Sequence, residues 1–222
     1  DGRTAFALRR SFEILREDTF PEQLDDLLHY FGHDFPENHQ FENITANPDP
    51  SLTPDIYMLG SSSGGVKFAL DKGLGFVFAA QINADMAIPV LKFYRENFKP
   101  SKYYSEPKSM MSISVFTAET EEEAQYLAEP TLLMWTMLGT GKRFTKFPTI
   151  EQAANYTYSL QEIAVREQQM NKFVIGTPAQ VAEKLHDWVK KTEIDEVILV
   201  DGYHDMEARQ KGYSLLAKEF GL

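Results

Sequence analysis

The residues best suited to chemistry form the run Gly60-Ser61-Ser62-Ser63-Gly64-Gly65, which follows Ile56-Tyr57-Met58-Leu59 and leads into a helix predicted over 64–72. A loop of small residues entering a helix presents backbone N–H groups that have no intrahelical acceptor. The helix dipole adds partial positive charge, so a phosphate or carboxylate is stabilised there. Ser61, Ser62 and Ser63 contribute hydroxyl donors. The same residues also make a plain Gly/Ser turn with a serine N-cap, and local chemistry alone leaves the two evenly matched. The loop lacks the Lys-Ser/Thr pair of a P-loop and the glycine spacing of a dinucleotide fingerprint, which sets both nucleotide motifs aside.

Three other groups carry residue types that could form a site. His29 and His33 have the spacing of helical zinc ligands, but Gly32 lies between them and no Cys or Glu-x-x-His pattern supports them. A helix-end cap is expected there, and no metal. His204, flanked by Asp201 and Asp205, follows the apolar run Glu196–Val200, where the loops of a β/α barrel gather their active-site residues. Its competing role is that of a loop residue or helix cap beside Asp205. Lys142, Arg143 and Lys146 with Phe144 and Phe147 make a basic, aromatic loop in an acidic chain. That loop either lies over a bound ligand or is solvated and mobile. No side chain is singled out as catalytic.

The elements that must position these residues alternate strand and helix. Helices are predicted over 5–17 and 21–31, the second with Pro21 in its first turn and Gly32 placed to stop it. Residues 33–54 carry four prolines and read as a long loop, with a short strand considered around Phe41. Buried parallel strands are predicted at Ile56–Leu59, Phe76–Ala80, Met110–Thr117 and Glu196–Val200, all of them mainly apolar. Between them lie a turn at Gly73-Leu74-Gly75 and helices over 64–72 and 84–98. A helix capped by Thr120 with Glu123 comes next, then a continuous helix over 149–170 and one opened by Thr177-Pro178. A last helix runs from Met206 to Phe220.

Uniformly apolar strands separated by helices mean an α/β fold with a parallel sheet. A chain of 222 residues is enough for one sizeable domain, here taken as 1–222. A closed barrel takes eight strands and ~250 residues, so the predicted strands suit half of a (β/α)8 TIM barrel or a small open doubly wound sheet.

Net charge of −11 argues against a nucleic-acid partner. The absence of cysteine excludes disulfides and thiol catalysis. No apolar run approaches the ~20 residues of a membrane span, and no signal-peptide pattern opens the chain, so a cytoplasmic location is expected. The chain starts Asp1-Gly2-Arg3-Thr4 without Met, which suggests that an N-terminal portion precedes it.

Several stretches resemble the luciferase-like flavin monooxygenase family, in the family's order and over nearly the whole chain. They are Leu59-Gly60-Ser61-Ser62, then Ala69, Gly73-Leu74 and Phe76-Val77-Phe78-Ala79; Phe173-Val174-Ile175-Gly176-Thr177-Pro178 with Val181 and Leu185; and Asp195–Val200 with His204, Arg209, Ser214 and Leu215-Leu216-Ala217. The resemblance implies a β/α barrel of which only the second half is present. Its strands five to eight would be Ile56–Leu59, Phe76–Ala80, Ser112–Thr117 and Val197–Val200, and residues 1–32 would fit the helix after strand four.

It further implies that the loop after strand five holds a flavin phosphate. Gly60, Ser61, Ser62, Ser63 and Gly65 would bind the cofactor, and Ala79 and Ala80 would lie against the ring or ribityl chain. Gly65 stands where relatives often carry Ser or Thr, so only its N–H could serve. Gly75 replaces a usual Pro, which implies a looser turn.

The implied activity is that of an oxidoreductase using reduced FMN and O2 to oxygenate a small organic substrate, with deazaflavin F420 as the other possible cofactor. A reductase supplying reduced flavin and a homodimer belong to the same expectation. The competing functions are a flavin-binding protein without turnover and a partner subunit of a barrel pair that binds no flavin.

Overall fold

The computed structural model describes residues 2–10, 19–46, 54–142 and 146–222, and the chain packs as two compact units, Asp1–Asp55 and Ile56–Leu222. The first unit contains helices α1 (Gly2–Arg9) and α2 (Phe20–Gly32). Residues 11–17 of the predicted first helix lie outside the described residues. Pro21 sits in the first turn of α2, and Leu24 and Leu28 are buried one turn apart. The left-handed cap falls on His33 (φ 50°), whose N–H bonds the His29 carbonyl, and not on Gly32. No strand forms at Phe41. Residues 41–43 are a turn closed by Ile44 N–H to Phe41 carbonyl (2.9 Å), and the Phe41 ring joins a cluster with Tyr30, Phe35 and His39.

The second unit is built on a parallel five-stranded sheet: β1 (Tyr57–Gly60), β2 (Gly75–Ala79), β3 (Ser109–Thr117), β4 (Phe173–Gly176) and β5 (Glu196–Val200). Strands β2 and β5 both pair with Met110–Ser112, so they flank β3 on opposite sides. Ser114 pairs with both Phe173 and Val200, which places β4 past the end of β2 on β2's side. The order β1-β2-β3-β5 is that of consecutive parallel barrel strands, and β4 is an addition the strand prediction did not include.

Alternation along each strand sorts the side chains onto two faces. Phe76, Phe78, Met111, Ile113 and Val115 face the helices and are buried with Val66, Leu91, Tyr94, Val181, Leu185 and Leu216. Each fully buried side chain of this size contributes ~1.5–3 kcal/mol of transfer free energy. The opposite face carries Leu59, Val77, Ala79, Met110, Ser112, Ser114 and Ile198, with Leu59 63% and Ile198 37% exposed.

The helices on the sheet are α3 (Ser63–Lys72), α4 (Ala87–Asn97), α5 (Glu121–Gly139), α6 (Ile150–Ala154), α7 (Leu160–Gln169), α8 (Pro178–Thr192) and α9 (Met206–Glu219). The helix predicted over 149–170 is therefore two. Thr149 with Gln152 and Ser159 with Glu162 each form a complete capping box, and the second box starts a new helix where continuation was expected. Gly75 is not slack either. A Cβ there would lie 2.3 Å from Cδ1 of Tyr57, whose ring fills the place.

Candidate functional site

Strand β1 ends at Gly60, and α3 begins at Ser63, one residue earlier than predicted. Ser62 is the N-cap, extended at φ −154° and ψ 177°, and its Oγ accepts the Gly64 N–H at 3.3 Å. The first-turn N–H groups of Ser63 and Gly65 thus have no intrahelical acceptor. Ser62, Ser63 and Gly64 are exposed, and a Cβ at Gly64 would meet nothing nearer than Ser62 Oγ at 3.6 Å. The helix entrance is exposed backbone with small side chains, a chemistry that suits a phosphate monoester.

Gly65 has a packing reason for lacking a side chain. A Cβ on it would sit 3.1 Å from Gly60 Cα, and one on Gly60 would sit 3.2 Å from Gly65 Cα. The strand end and the helix start approach each other through glycines, and a Ser or Thr at 65 would force them apart.

The end of β2 lies beside this loop. Ala79 and Ala80 are 1% and 0% exposed. Ala80 packs in the helix-side core, and Ala79 points to the opposite face. The Ala80 N–H donates to the Ser112 carbonyl at 2.8 Å, and the Ser112 hydroxyl donates to Gln81 Oε1 at 2.9 Å. Asn83 reaches back to the loop, its Nδ2 donating to the Ser61 carbonyl at 3.2 Å. Neither Gln81 nor Asn83 stood out in the sequence, because each matters only through a distant partner.

At the end of β5 the organising residue is Tyr203. Its hydroxyl accepts the Thr117 N–H at 2.7 Å and donates to the Thr117 carbonyl at 3.2 Å, and its ring lies 4.8 Å from that of Phe116. Burial pushes the Tyr203 phenol up to about 12. Asp201 accepts from Arg209 Nε at 3.1 Å and from the Tyr213 hydroxyl. Asp205 caps α9 through Ala208 N–H, and His204 is exposed next to it, as a loop residue.

In the basic loop, Arg143 and Phe144 lie outside the described residues. Lys142 is paired: its ammonium donates to Glu162 Oε1 at 2.7 Å and to the Tyr156 hydroxyl at 3.2 Å. Tyr156 OH, Ser159 N–H and Ser159 Oγ complete the shell around the Glu162 carboxylate. The Lys142 ammonium first, then the Ser159 N–H and Tyr156 hydroxyl, hold that carboxyl down at about 2.

His29 Nδ1 lies 2.9 Å from Asp34 Oδ1, and among the described residues no group of three or more His, Asp or Glu side chains could hold a metal. Nor is any described helix long and apolar enough to cross a membrane. A cavity of about 620 Å³ lined by Lys92, Arg95, Glu96, Asp187, Lys190 and Glu193 lies at the N-terminal ends of the strands, opposite the glycine–serine loop. Its charges are mixed and its mouth is open, so the loop is the better candidate site.

The model of the luciferase-like monooxygenase family matches residues 23–196. The chain belongs to that family. Uncharacterized protein YvbT of Bacillus subtilis is 32% identical over 98% of the chain and 63% of its own length. The chain spans 60–63% of the length of the first curated relatives it matches.

The crystal structure of apo-MsnO8 superposes with a TM-score of 0.74 at 24% identity, covering 97% of this chain and 66% of that one. The oxygenating constituent of 3,6-diketocamphane monooxygenase from Pseudomonas putida, solved in complex with FMN, superposes at 0.53 with 17% identity, covering 89% and 60%. Both show the fold. The parallel sheet of this luciferase-like chain is therefore of the TIM-barrel type, in a chain shorter than its structural neighbours.

Proposed function

We propose that the chain is part of a flavin-dependent monooxygenase and holds the phosphate of FMN at Gly60–Gly65. The observation that carries this is the open helix entrance, where Ser62 is the N-cap, Ser62, Ser63 and Gly64 are exposed, and the first-turn N–H groups of Ser63 and Gly65 have no intrahelical acceptor. In this proposal β1, β2, β3 and β5 are strands five to eight of the barrel, and residues 1–222 form a single domain with it. Ala79, the backbone at Ala80 and the Ser112 side of the sheet would border the ribityl chain and ring. FMN is favoured over F420 because the loop suits one terminal phosphate.

When bound, reduced FMN would supply the activation of O2 needed to oxygenate a small organic substrate. The chain's own share is to fix the phosphate, orient the ring end and keep water from the apolar face bearing Val77 and Met110. A separate reductase, a homodimer and a cytoplasmic location complete the proposal.

The test is FMN binding by fluorescence quenching in wild type and Ser62→Ala. Loss of one hydrogen bond to a charged group, ~1.5–3 kcal/mol, should weaken FMN by ~10–100-fold. No FMN binding by wild type would remove the assignment, and equal affinity in the two proteins would remove the Ser62 hydroxyl from it.

A further inference from the structure

We infer that Asn83 is a positioning residue of the FMN-phosphate loop, acting through Ser61; this rests on the site assignment above. Asn83 immediately precedes the 3-10 turn Ala84–Met86, at the position where asparagine is a favoured cap. Its side chain makes no cap bond. Instead Nδ2 donates to the carbonyl of Ser61, 22 residues earlier in the chain, at 3.2 Å. A side chain that forgoes a favourable local role for a long-range one is constrained by what lies at the far end.

The far end is the peptide joining Ser61 to Ser62. In a planar trans peptide the C=O and the following N–H point in opposite directions. Holding the Ser61 carbonyl toward Asn83 therefore aims the Ser62 N–H to the other side. It also keeps the negative end of that peptide dipole turned away from an anion at the helix entrance. Gly60 and Gly65 meet at the two ends of the loop, where a Cβ on either would lie 3.1–3.2 Å from the other's Cα, and Asn83 holds the Ser61 carbonyl between them. With glycine at position 65, the loop offers no hydroxyl there, so its anion affinity depends more heavily on correctly aimed backbone N–H groups.

The experiment compares dissociation constants for FMN and riboflavin, which differ only by the phosphate, in the full chain and in two variants. Asn83→Ala removes the donor. Asn83→Asp preserves the shape and the capping ability at the turn but cannot donate to a carbonyl when ionised. Wild type should prefer FMN clearly over riboflavin. Asn83→Ala should weaken FMN about tenfold, the equivalent of one ordinary hydrogen bond, while riboflavin changes less than about twofold. Asn83→Asp should weaken FMN further.

An unchanged FMN-to-riboflavin ratio in both variants overturns this inference and leaves the site assignment standing. A wild-type chain that binds the two flavins equally, or neither, overturns the site assignment and the inference together. Should Asn83→Ala fail to fold, the uncharged Asn83→Leu, which also lacks the donor and adds no charge beside the phosphate, takes its place.

Discussion

Replacing Gly65 by alanine places a methyl carbon 3.1 Å from Gly60 Cα, 3.6 Å from the Leu59 carbonyl oxygen and 3.7 Å from the Gly60 nitrogen. Two effects then oppose each other. Alanine gains up to ~1 kcal/mol over glycine in a helix. Carbon atoms pack best at ~3.5–4.0 Å, so the start of α3 must move away from the end of β1 by a few tenths of an ångström. Overpacking of this kind costs ~1–3 kcal/mol.

The balance is a loss of ~1 kcal/mol, which in a unit of this size lowers the melting temperature by ~2–4 °C. Gly60→Ala meets Gly65 Cα at 3.2 Å and should shift stability in the same direction. Gly65→Ser carries the same Cβ and should lose the same stability, while its hydroxyl offers an extra donor to FMN. The assay is thermal unfolding followed by circular dichroism, without flavin, at one protein concentration. A melting temperature for Gly65→Ala above that of wild type would show that propensity outweighs the contact and would refute the packing argument.

Three further outcomes are expected. Tyr203→Phe leaves the Thr117 N–H without its acceptor, a loss of ~1–3 kcal/mol; the urea midpoint should fall with an unchanged slope. Glu162 is held at about 2 against an ordinary 4.5, so its stabilisation is fully present above pH 4.5 and is lost as pH falls toward 2. The melting temperatures of wild type and Glu162→Gln should therefore converge through that window, and a constant gap would contradict the network. Tyr94 and Tyr203 are both pushed from 10.0 up to about 12 by burial, so stability should decline as pH rises from 10 to 12. Near-ultraviolet titration should show these phenols ionising only with unfolding.

Strands β1, β2, β3 and β5 were legible as mainly apolar runs, Phe76–Ala79 most clearly; β2 and β3 are buried as expected, whereas β1 and β5 are only partly buried, with Leu59 63% and Ile198 37% exposed. Strand β4 (Phe173–Gly176) was not predicted as a strand; it follows directly on a 3-10 turn at the end of a run that reads as helix. The break between α6 and α7 was written in Ser159-x-x-Glu162, a capping box hidden inside a run of good helix formers. The helix-end cap expected at His29 and His33 forms, with the left-handed residue at His33 and not at Gly32, which was expected to stop the helix.

At the site, the glycine–serine loop announced itself through local chemistry. Its close packing through Gly60 and Gly65 did not, since a distance between backbone atoms leaves no sequence pattern. Tyr203 and Asn83 act on partners 86 and 22 residues away, and no spacing rule reaches that far.

The central claim is that the backbone N–H groups opening α3 hold the phosphate of FMN. Its most direct test is an amide-resolved NMR titration of the chain with FMN and, separately, with riboflavin. The account predicts large shifts of the Ser62, Ser63 and Gly65 amides with FMN and small ones with riboflavin. Shifts that are equal for the two ligands, or that map instead to Lys92, Arg95 and Lys190 at the opposite end of the strands, would contradict it.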